Sequence, residues 1–355
     1  MYFWIVNCSL AFLLCVLCAG IVIPQILLIA FRKKLFDFPD ERKVHHCAVP
    51  RLGGIAFKPV VFFTIALLLG INMVLGHSEI LSEIGNDVCS LAFAFCSIMV
   101  LYLVGMADDL IGIRYRAKFV IQILCGVMLI AGGVYINNLY GVLGIHAVPL
   151  WLGYPLTILI VVFIINAYNF MDGINGITGG YSLIILGALA YINEEMVSFA
   201  EPALIYTVLC SVVVFCFFNF RRKAKCFAGD VGSVGIAFIL LFLIGKLILK
   251  TEDFSWMILL AVYGVDSVLT IIHRLMLHEN IGLPHRKHMY QLMANELKIP
   301  HVVVSLVYMA VQAIVIIGYI YCQNWGYLYL LCAILLLSFI YVWFMRKYFR
   351  LHLSV

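Results

Sequence analysis

The sequence predicts an all-α polytopic integral membrane protein, with about eleven transmembrane helices in a single domain over residues 1–355. Hydrophobic residues make up 65% of the chain and charged residues only 12%, and the mean hydropathy is +1.09. Soluble globular domains carry about twice that share of charged residues. Apolar runs of about 20 residues, each long enough to cross the hydrocarbon core, recur along the whole chain. These observations exclude a soluble globular protein.

Residues 1–31 form the first predicted span rather than a signal peptide, because no basic region precedes them and no small-residue cleavage site follows. The other predicted spans are 53–76, 89–107, 119–136, 151–166, 177–193, 202–219, 233–250, 255–272, 301–322 and 327–345. The connection from Asn137 to Leu150 contains glycine and proline, so a small hairpin is one arrangement there. The sequence leaves its structure open.

The distribution of basic residues predicts the orientation. Of the 23 Lys and Arg residues, 20 lie in the loops 32–52, 108–118, 219–232 and 273–300 and in the tail after Met345. The alternate loops carry acids instead. The positive-inside rule therefore places the N-terminus outside and the C-terminus in the cytoplasm. The remaining lysines, Lys58, Lys246 and Lys250, lie near span ends, where we expect their long side chains to reach the interface.

Polar clusters fall on the same predicted face. The first comprises residues 38–46 and the Pro-Arg-Leu-Gly-Gly segment at 50–54, which is either an ordinary basic juxtamembrane loop or part of a site. The second begins with Asp108 and Asp109 at the end of a span. Adjacent carboxylates repel each other, so a cation or a proton-transfer role must compensate. A structural salt bridge to Arg114, Arg116 or Lys118 is the alternative.

The stretch from Asn166 to Gly180 holds three asparagines, an aspartate and four glycines between two apolar segments. A turn that connects two helices is the plain interpretation. Oxygen donors at the edge of a span also suit a magnesium–phosphate site, and amides hydrogen-bond a base or a sugar. The other polar clusters on the same face favour a site.

Two further clusters suit phosphate. Gly-Asp-x-Gly-Ser at 229–233 opens a helix and offers the carboxylate of Asp230, a hydroxyl and backbone N–H groups. Pro-His-Arg-x-His at 284–288 follows Asp266 and places two histidines three residues apart. A zinc pair is one interpretation of these histidines. Without a third ligand, phosphate binding is the better one.

Together, Pro-Arg-x-Gly-Gly (50–54), Asp-Asp (108–109), Asn-x-x-Asn-x-x-Asp-Gly-x-Asn-Gly (166–176), Gly-Asp-x-Gly-Ser (229–233) and Pro-His-Arg-x-His (284–288) resemble the polyprenyl-phosphate N-acetylhexosamine-1-phosphate transferases. The resemblance covers residues 32–300, with the motifs in order. It implies a bacterial cytoplasmic-membrane enzyme whose active site faces the cytoplasm. The implied reaction is the Mg²⁺-dependent transfer of a sugar 1-phosphate from a UDP-sugar to polyprenyl phosphate, with release of UMP.

The resemblance also implies residue roles. Asp230 and Asn169 match the positions associated with the metal, and Asp230 is counted with the catalytic residues. Asp108 and Asp109 match the pair that activates or positions the lipid phosphate, and Lys118 matches a lysine near the phosphates. The implied substrate-binding residues are Asn166, Asp172 and Asn175 around the nucleotide and His285, Arg286 and His288 at the pyrophosphate.

One departure bears on the substrate. The peptidoglycan branch, which transfers phospho-MurNAc-pentapeptide, has three consecutive histidines in its last loop, whereas this chain has His-Arg-Lys-His at 285–288. This difference favours the WecA-like branch, which initiates O-antigen, capsule and other surface glycans, with UDP-GlcNAc or a related donor. The peptidoglycan reaction stays as the alternative. The sequence leaves open whether the chain acts alone or as a homodimer, and it predicts no nucleic-acid partner.

Two other classes fit less well. A secondary transporter would carry its site at the bilayer midplane, in broken helices and repeated halves, whereas the acids here lie at one face. A CDP-alcohol phosphotransferase would show Asp-x-x-Asp-Gly-x-x-Ala-Arg, and the chain lacks that pattern.

Overall fold

The computed structural model describes residues 2–33, 36–37, 49–50, 57–74, 87–142, 144–281 and 285–353, and they form a helical bundle. The helices are α1 (Tyr2–Lys33), α2 (Phe57–Val74), α3 (Val88–Ile111), α4 (Tyr115–Ala131), α5 (Leu150–Met171), α6 (Ile177–Glu195), α7 (Pro202–Asn219), α8 (Gly229–Thr251), α9 (Ala261–Met276), α10 (Met289–Asn295), α11 (His301–Tyr321) and α12 (Gly326–Leu353). Short 3₁₀ helices, Phe254–Leu260 and Gln323–Trp325, lead into α9 and α12.

Two short antiparallel strand pairs complete the described structure. Strand β1 (Phe36–Asp37) pairs with β2 (Val49–Pro50), and β3 (Asn138–Val142) pairs with β4 (Ile145–Ala147). The second pair occupies the connection after α4 that the sequence left open, so this connection is a hairpin. Gly141 and Gly144 flank its turn with φ angles of 94° and 76°, which residues with a side chain rarely adopt.

Helices occupy each of the eleven predicted spans, which agrees with an all-α polytopic membrane protein. Within the described ranges, eight helical segments are both long and apolar enough to cross a bilayer. They are Ser9–Ala30, Val88–Ile111, Leu150–Met171, Pro202–Asn219, Gly229–Thr251, Phe254–Met276, His301–Tyr321 and Gln323–Phe349. The number of spans and the orientation of the termini stay predictions.

Helix α8 lies at the centre of the bundle. Its sequence is apolar on every side, and a helix of that kind is buried all round. Side chains from Val231 to Leu247 are almost all enclosed by α3, α5 and α6. The first turn of α8 carries Asp230, so the enclosure of the helix fixes the position of that carboxylate.

A close approach of two helices brings the acidic pair to Asp230. Gly105 of α3 lies against the start of α8, where a Cβ atom at residue 105 would come within 2.9 Å of the Cα of Val231. Any larger residue would therefore push the helices apart. Because Asp108 and Asp109 lie one turn beyond Gly105, the contact places both next to the first turn of α8.

The helices extend further into the polar motifs than the predicted spans do. Helix α5 continues to Met171, so Asn166 and Asn169 are helical and only residues 172–176 form the turn. Helix α4 begins at Tyr115, so Lys118 lies in its first turn rather than in a loop. Both helices extend beyond their apolar runs because their polar side chains bond to neighbouring helices, as Asn166 does to Gln122 and Lys118 to Asp230. Hydropathy alone does not indicate such bonds.

Candidate active site

The sequence-predicted polar residues meet at one end of the bundle. This site end is formed by the C-termini of α3, α5 and α7, the N-termini of α4, α6 and α8, and the segment 285–291. Residues Arg51–Gly54 and Pro284 of the predicted motifs lie outside the described residues, as do residues 38–46.

A lysine joins two of the predicted acids. The Lys118 ammonium group lies 2.6 Å from Asp108 Oδ2 and 2.5 Å from Asp230 Oδ2. The salt bridge that was the alternative for Asp108 is therefore present, and it includes a second carboxylate. The three side chains keep 30%, 16% and 23% exposure respectively, so a ligand can reach them.

Asp109 is directed at the start of α8. Its two carboxylate oxygens accept hydrogen bonds from the backbone N–H groups of Asp230 and Val231, each at 3.2 Å. A carboxylate at a helix N-terminus satisfies free N–H groups and interacts favourably with the helix dipole. Asp109 therefore caps the helix that carries Asp230, and also belongs to the acidic cluster.

Asp108 is held by its own chain. Its Oδ1 accepts a hydrogen bond of 2.7 Å from the N–H of Ile113, in the turn between α3 and α4. Gly112 makes that turn possible with a φ angle of 73°. The turn leaves Asp108 Oδ2 directed at Lys118.

The cluster has the character of a magnesium–phosphate site. Asp108 and Asp230 share one cationic side chain, Asp109 accepts from the first turn of α8, and the Asn169 side chain lies beside Asp230. Among the described residues, no three or more His, Cys, Asp or Glu side chains group as a self-sufficient metal site. Magnesium is usually held by one or two carboxylates together with substrate phosphates and waters. The donor set of Asp230 and Asn169 fits that pattern.

Asp172 lies at the inner edge of the cluster. The carboxylate is half-buried and lies beside the N–H of Gly229 and the hydroxyl of Thr178. Burial, with a smaller contribution from the charge of Asp230, raises the pKa of Asp172 from 3.8 to about 7. The side chain therefore exchanges a proton near neutral pH.

Two of the predicted nucleotide-binding asparagines are hydrogen-bonded within the protein. Asn166 forms a reciprocal amide pair with Gln122 of α4, with N···O distances of 2.7 and 3.4 Å. The Asn175 amide donates to the carbonyl groups of Arg221 and Arg222 at 2.9 and 3.2 Å. Asn175 thereby attaches the basic segment between α7 and α8 to the turn after α5.

The segment 285–291 packs onto the same turn. Tyr290 donates a 2.8 Å hydrogen bond to the carbonyl of Phe170, and its hydroxyl fills the space that a Cβ at Gly173 would need. The ring of Phe170 also contacts those of His285 and His288. The last motif of the sequence is thus in contact with the central stretch, 120 residues earlier in the chain.

A buried carboxylate holds this segment. Asp266 of α9 is 3% exposed, and its Oδ1 lies 3.1 Å from Nδ1 of His288. Tyr308 donates to its other oxygen at 2.6 Å. The Nε2 atom of His288 is buried and lacks a hydrogen-bond partner in the described structure. Sequence reasoning named Asp266 without a role, although an acid this deep in an apolar helix indicates a function.

His285 and Arg286 complete the predicted phosphate group. Burial, together with the nearby charges of His288 and Arg274, lowers the pKa of His285 to about 3, so its ring is neutral at physiological pH. The two imidazole rings lie 5.0 Å apart on a non-helical segment rather than on one helix face. Arg286 follows His285 in the chain, and its side chain is half-buried.

Similarity to known proteins extends over the part of the chain that carries these residues. The model of the family described as glycosyl transferase family 4 matches residues 91–247, which contain Asp108, Lys118, Asn169 and Asp230. The chain is 29% identical over 298 residues to the probable undecaprenyl-phosphate N-acetylglucosaminyl 1-phosphate transferase of Bacillus subtilis (strain 168), covering 80% of this chain and 76% of that protein. The chain is therefore similar to the polyprenyl-phosphate N-acetylhexosamine-1-phosphate transferases, the family that its motifs resemble.

Other members of the family show the same likeness. The undecaprenyl-phosphate alpha-N-acetylglucosaminyl 1-phosphate transferase of Escherichia coli (strain K12) is 27% identical over 275 residues, covering 74% of this chain and 70% of that protein. The decaprenyl-phosphate N-acetylglucosaminephosphotransferase of Mycobacterium leprae (strain TN) is 31% identical over 223 residues, covering 60% and 54%. The names of these transferases differ in the lipid phosphate, undecaprenyl or decaprenyl phosphate, and share the N-acetylglucosamine group.

Proposed function

We propose that this protein transfers N-acetylglucosamine 1-phosphate, or a closely related N-acetylhexosamine 1-phosphate, from a UDP-sugar to polyprenyl phosphate and releases UMP. The observation that carries the proposal is the cluster in which Lys118 bridges Asp108 and Asp230 at the site end. The relatives from Bacillus subtilis and Escherichia coli are named for transfer of this sugar phosphate.

The chemistry of the reaction matches the charges of the cluster. A phosphate oxygen of the lipid forms a bond to the β-phosphorus of the UDP-sugar, and the bond from that phosphorus to the bridging oxygen of UMP breaks. Both reactants are polyanions, so catalysis depends on positioning and on neutralisation of charge. Lys118 supplies one positive charge that is already in place. The carboxylates around it outnumber it, so a bound cation would be needed to neutralise the reactants.

The metal role belongs to the same proposal. Asp230 and Asn169 would hold Mg²⁺, which when bound supplies the positive charge that the diphosphate of the donor requires. Asp108 then positions the lipid phosphate or accepts its proton, and Asp109 keeps the first turn of α8 in register with it. Lys118 holds Asp108 and Asp230 together before substrates bind.

We assign the surrounding groups to the donor. His285, Arg286 and His288 would contact the pyrophosphate, because the segment that carries them packs against Phe170 beside Asn169. Asp172, Asn166 and Asn175 border the turn on which the uridine would lie. Since the amides of Asn166 and Asn175 already have partners in the protein, their role would be to shape the turn.

We further propose that the site end faces the cytoplasm of a bacterial cytoplasmic membrane, where UDP-sugars are made. The basic loops support this orientation, because 20 of the 23 Lys and Arg residues lie at the predicted cytoplasmic side. Cysteine reporters near Arg286 should be shielded from an impermeant external thiol reagent, while reporters near Glu83 should react. External labelling of the 273–300 loop in intact cells would overturn the orientation.

The direct test uses purified full-length protein, UDP-GlcNAc, undecaprenyl phosphate and Mg²⁺. UMP release that depends on both the lipid and the metal supports the proposal. A donor panel with UDP-GalNAc and UDP-MurNAc-pentapeptide separates the favoured reaction from the peptidoglycan alternative. If the protein moves a solute across vesicles and releases no UMP with any donor, it belongs with the transporters instead.

A further inference from the structure

A polar cavity lies at the end of the bundle opposite the site end. Its volume is about 350 Å³. The lining comes from the start of α3, the end of α4, the turn before α7 and the last turns of α8. The polar residues at its wall are Asp87, Ser90, Ser198, Lys246 and Lys250. The roles proposed for the site end involve none of these residues.

The cavity carries excess positive charge. Lys246, which was expected to reach the interface, is instead 13% exposed and forms an ion pair with Asp87. Lys250 lies one helical turn further along α8, is exposed, and forms no ion pair with any residue in the described ranges. Counting the described side chains, the lining has one uncompensated cation. Ionisable groups within an apolar helix point to a function by default.

A buried hydroxyl group without a hydrogen-bond partner in the described residues lies in the wall of this cavity. Ser90 lines the cavity and is 8% exposed, and its Oγ has no hydrogen-bond partner among the described residues. It lies in the first turn of α3, a helix of 24 residues, where backbone N–H groups have no partner within the helix. Burial of a hydroxyl without a partner costs free energy, so a ligand that accepts its hydrogen bond is stabilised there. A helix N-terminus, a hydroxyl and a cation together suit an anion.

An apolar cleft adjoins this cavity and shares Val134 and Leu249 with it. The cleft runs between α4, α5 and α8, and almost all of its wall is hydrocarbon. Among the residues that line it are Leu129, Ile160, Leu241, Ile244, Ile248 and Phe254. One end of the combined space thus suits an anion, and the other suits an alkyl chain.

We propose that the two spaces bind one anionic phospholipid. The headgroup phosphate lies at Ser90, Lys250 and the start of α3, and one acyl chain occupies the cleft beyond Leu249. The single negative charge of a phosphodiester balances the uncompensated lysine. A zwitterionic lipid would bring a further cation next to Lys246 and Lys250, so the charges select against it.

The test is lipid retention by the purified full-length protein in detergent, with equal amounts of phosphatidylglycerol and phosphatidylcholine, read by native mass spectrometry. We expect wild type to retain one phosphatidylglycerol in preference to phosphatidylcholine. Lys250→Gln should reduce that preference about fivefold, the effect of one interfacial lysine. Leu249→Trp should block the cleft and reduce retention of both lipids at this position.

The controls separate the headgroup from the chain. Lys223→Gln removes an exposed lysine at the site end and should leave the preference unchanged. Thermal unfolding shows whether each variant is folded. Lys250 is exposed, so Lys250→Gln should fold and test the proposal even if Leu249→Trp does not fold. Equal preference in wild type and Lys250→Gln would overturn the proposal. If inorganic phosphate or glycerol phosphate raises the thermal unfolding midpoint as much as phosphatidylglycerol does, the ligand of this cavity is a free anion and not a lipid.

Discussion

Two carboxylate clusters at the site end differ in how completely their charges are satisfied. Asp230 shares one lysine with Asp108 and keeps 23% exposure. Asp266 is 3% exposed, accepts hydrogen bonds from two hydroxyl groups and one backbone N–H, and faces the ring of His288. The first cluster has more negative charge than its single lysine balances. The second has a donor for each oxygen of its carboxylate.

This difference separates two kinds of functional residue. A partly exposed carboxylate with an incomplete set of partners can exchange Lys118 for a metal or a phosphate-bound cation without leaving a buried charge unpaired. A carboxylate whose two oxygens both accept hydrogen bonds has no such freedom, because loss of one donor leaves a buried charge incompletely paired. We therefore infer that Asp230 contacts ligands and that Asp266 positions the segment that contacts them.

The largest expected effect is that of Asp230→Asn. The substitution keeps the shape of the side chain and removes the charge that would offset Mg²⁺, so turnover should fall by about 100-fold or more. The Mg²⁺ concentration for half-maximal residual activity should rise well above that of wild type. Initial rates of UMP release across a Mg²⁺ titration measure both quantities.

The matched control is Glu195→Gln, which removes one exposed acid from the other end of the bundle and should leave both quantities unchanged. A well-folded Asp230→Asn protein with wild-type turnover and an unchanged Mg²⁺ requirement would remove Asp230 from the metal site.

The acidic pair should divide its effects between activity and stability. Asp108→Asn and Asp109→Asn should each lower turnover by about 100-fold, as expected for loss of a proton-transfer or positioning group. Only Asp109→Asn should also lower the free energy of unfolding, by about 1 kcal/mol, because Asp109 caps α8. Uridine nucleotide affinity should change little in either variant. A collapse of nucleotide affinity with normal saturated turnover would assign the pair to the donor instead.

The sequence was sufficient to place Asp108, Lys118 and Asp230 at one end of a helical bundle. Each lies at the end of an apolar run, and alternate loops of such runs share a membrane face. The sequence could not choose among Arg114, Arg116 and Lys118 as partners of Asp108. The choice depends on the turn at Gly112 and on the first turn of α4, which directs Lys118 toward α8 while the two arginines stay exposed.

The partners of the amides were also beyond the sequence. Asn166 was expected to surround the nucleotide, but its amide pairs with Gln122 across a helix contact. Asn175 holds carbonyl groups of a segment that follows another helix. Motif spacing reports which residues lie on one membrane face, whereas these pairs depend on how neighbouring helices are rotated about their axes. The cap formed by Asp109 was missed for the same reason.

A smaller effect, about tenfold on activity, is expected for Asp266→Asn, because supporting carboxylates of this kind typically contribute 10- to 100-fold. The reason is loss of the fixed orientation of His288, so the KM for the UDP-sugar should rise more than kcat falls. Tyr308→Phe is the comparator, since it removes a 2.6 Å hydrogen bond to Asp266 and leaves the His288 contact. It should lower the thermal unfolding midpoint with little change in KM. Equal changes in KM for both variants would indicate a purely structural role for Asp266.

The smallest effect distinguishes Asp172 from both clusters, because its protonation changes near neutral pH. Burial raises its pKa in the folded protein from 3.8 to about 7, so folding favours the neutral carboxyl group. The stability from this preference is complete below pH 3.8 and is lost as the pH rises through about 7. Asp172→Asn cannot ionise. Its thermal unfolding midpoint in detergent should therefore exceed that of wild type at pH 8 by more than at pH 5, whereas Glu195→Gln should show a constant difference. If the midpoint difference for Asp172→Asn is the same at both values of pH, Asp172 is ionised throughout that range, and the proton exchange assigned to it beside Gly229 does not occur.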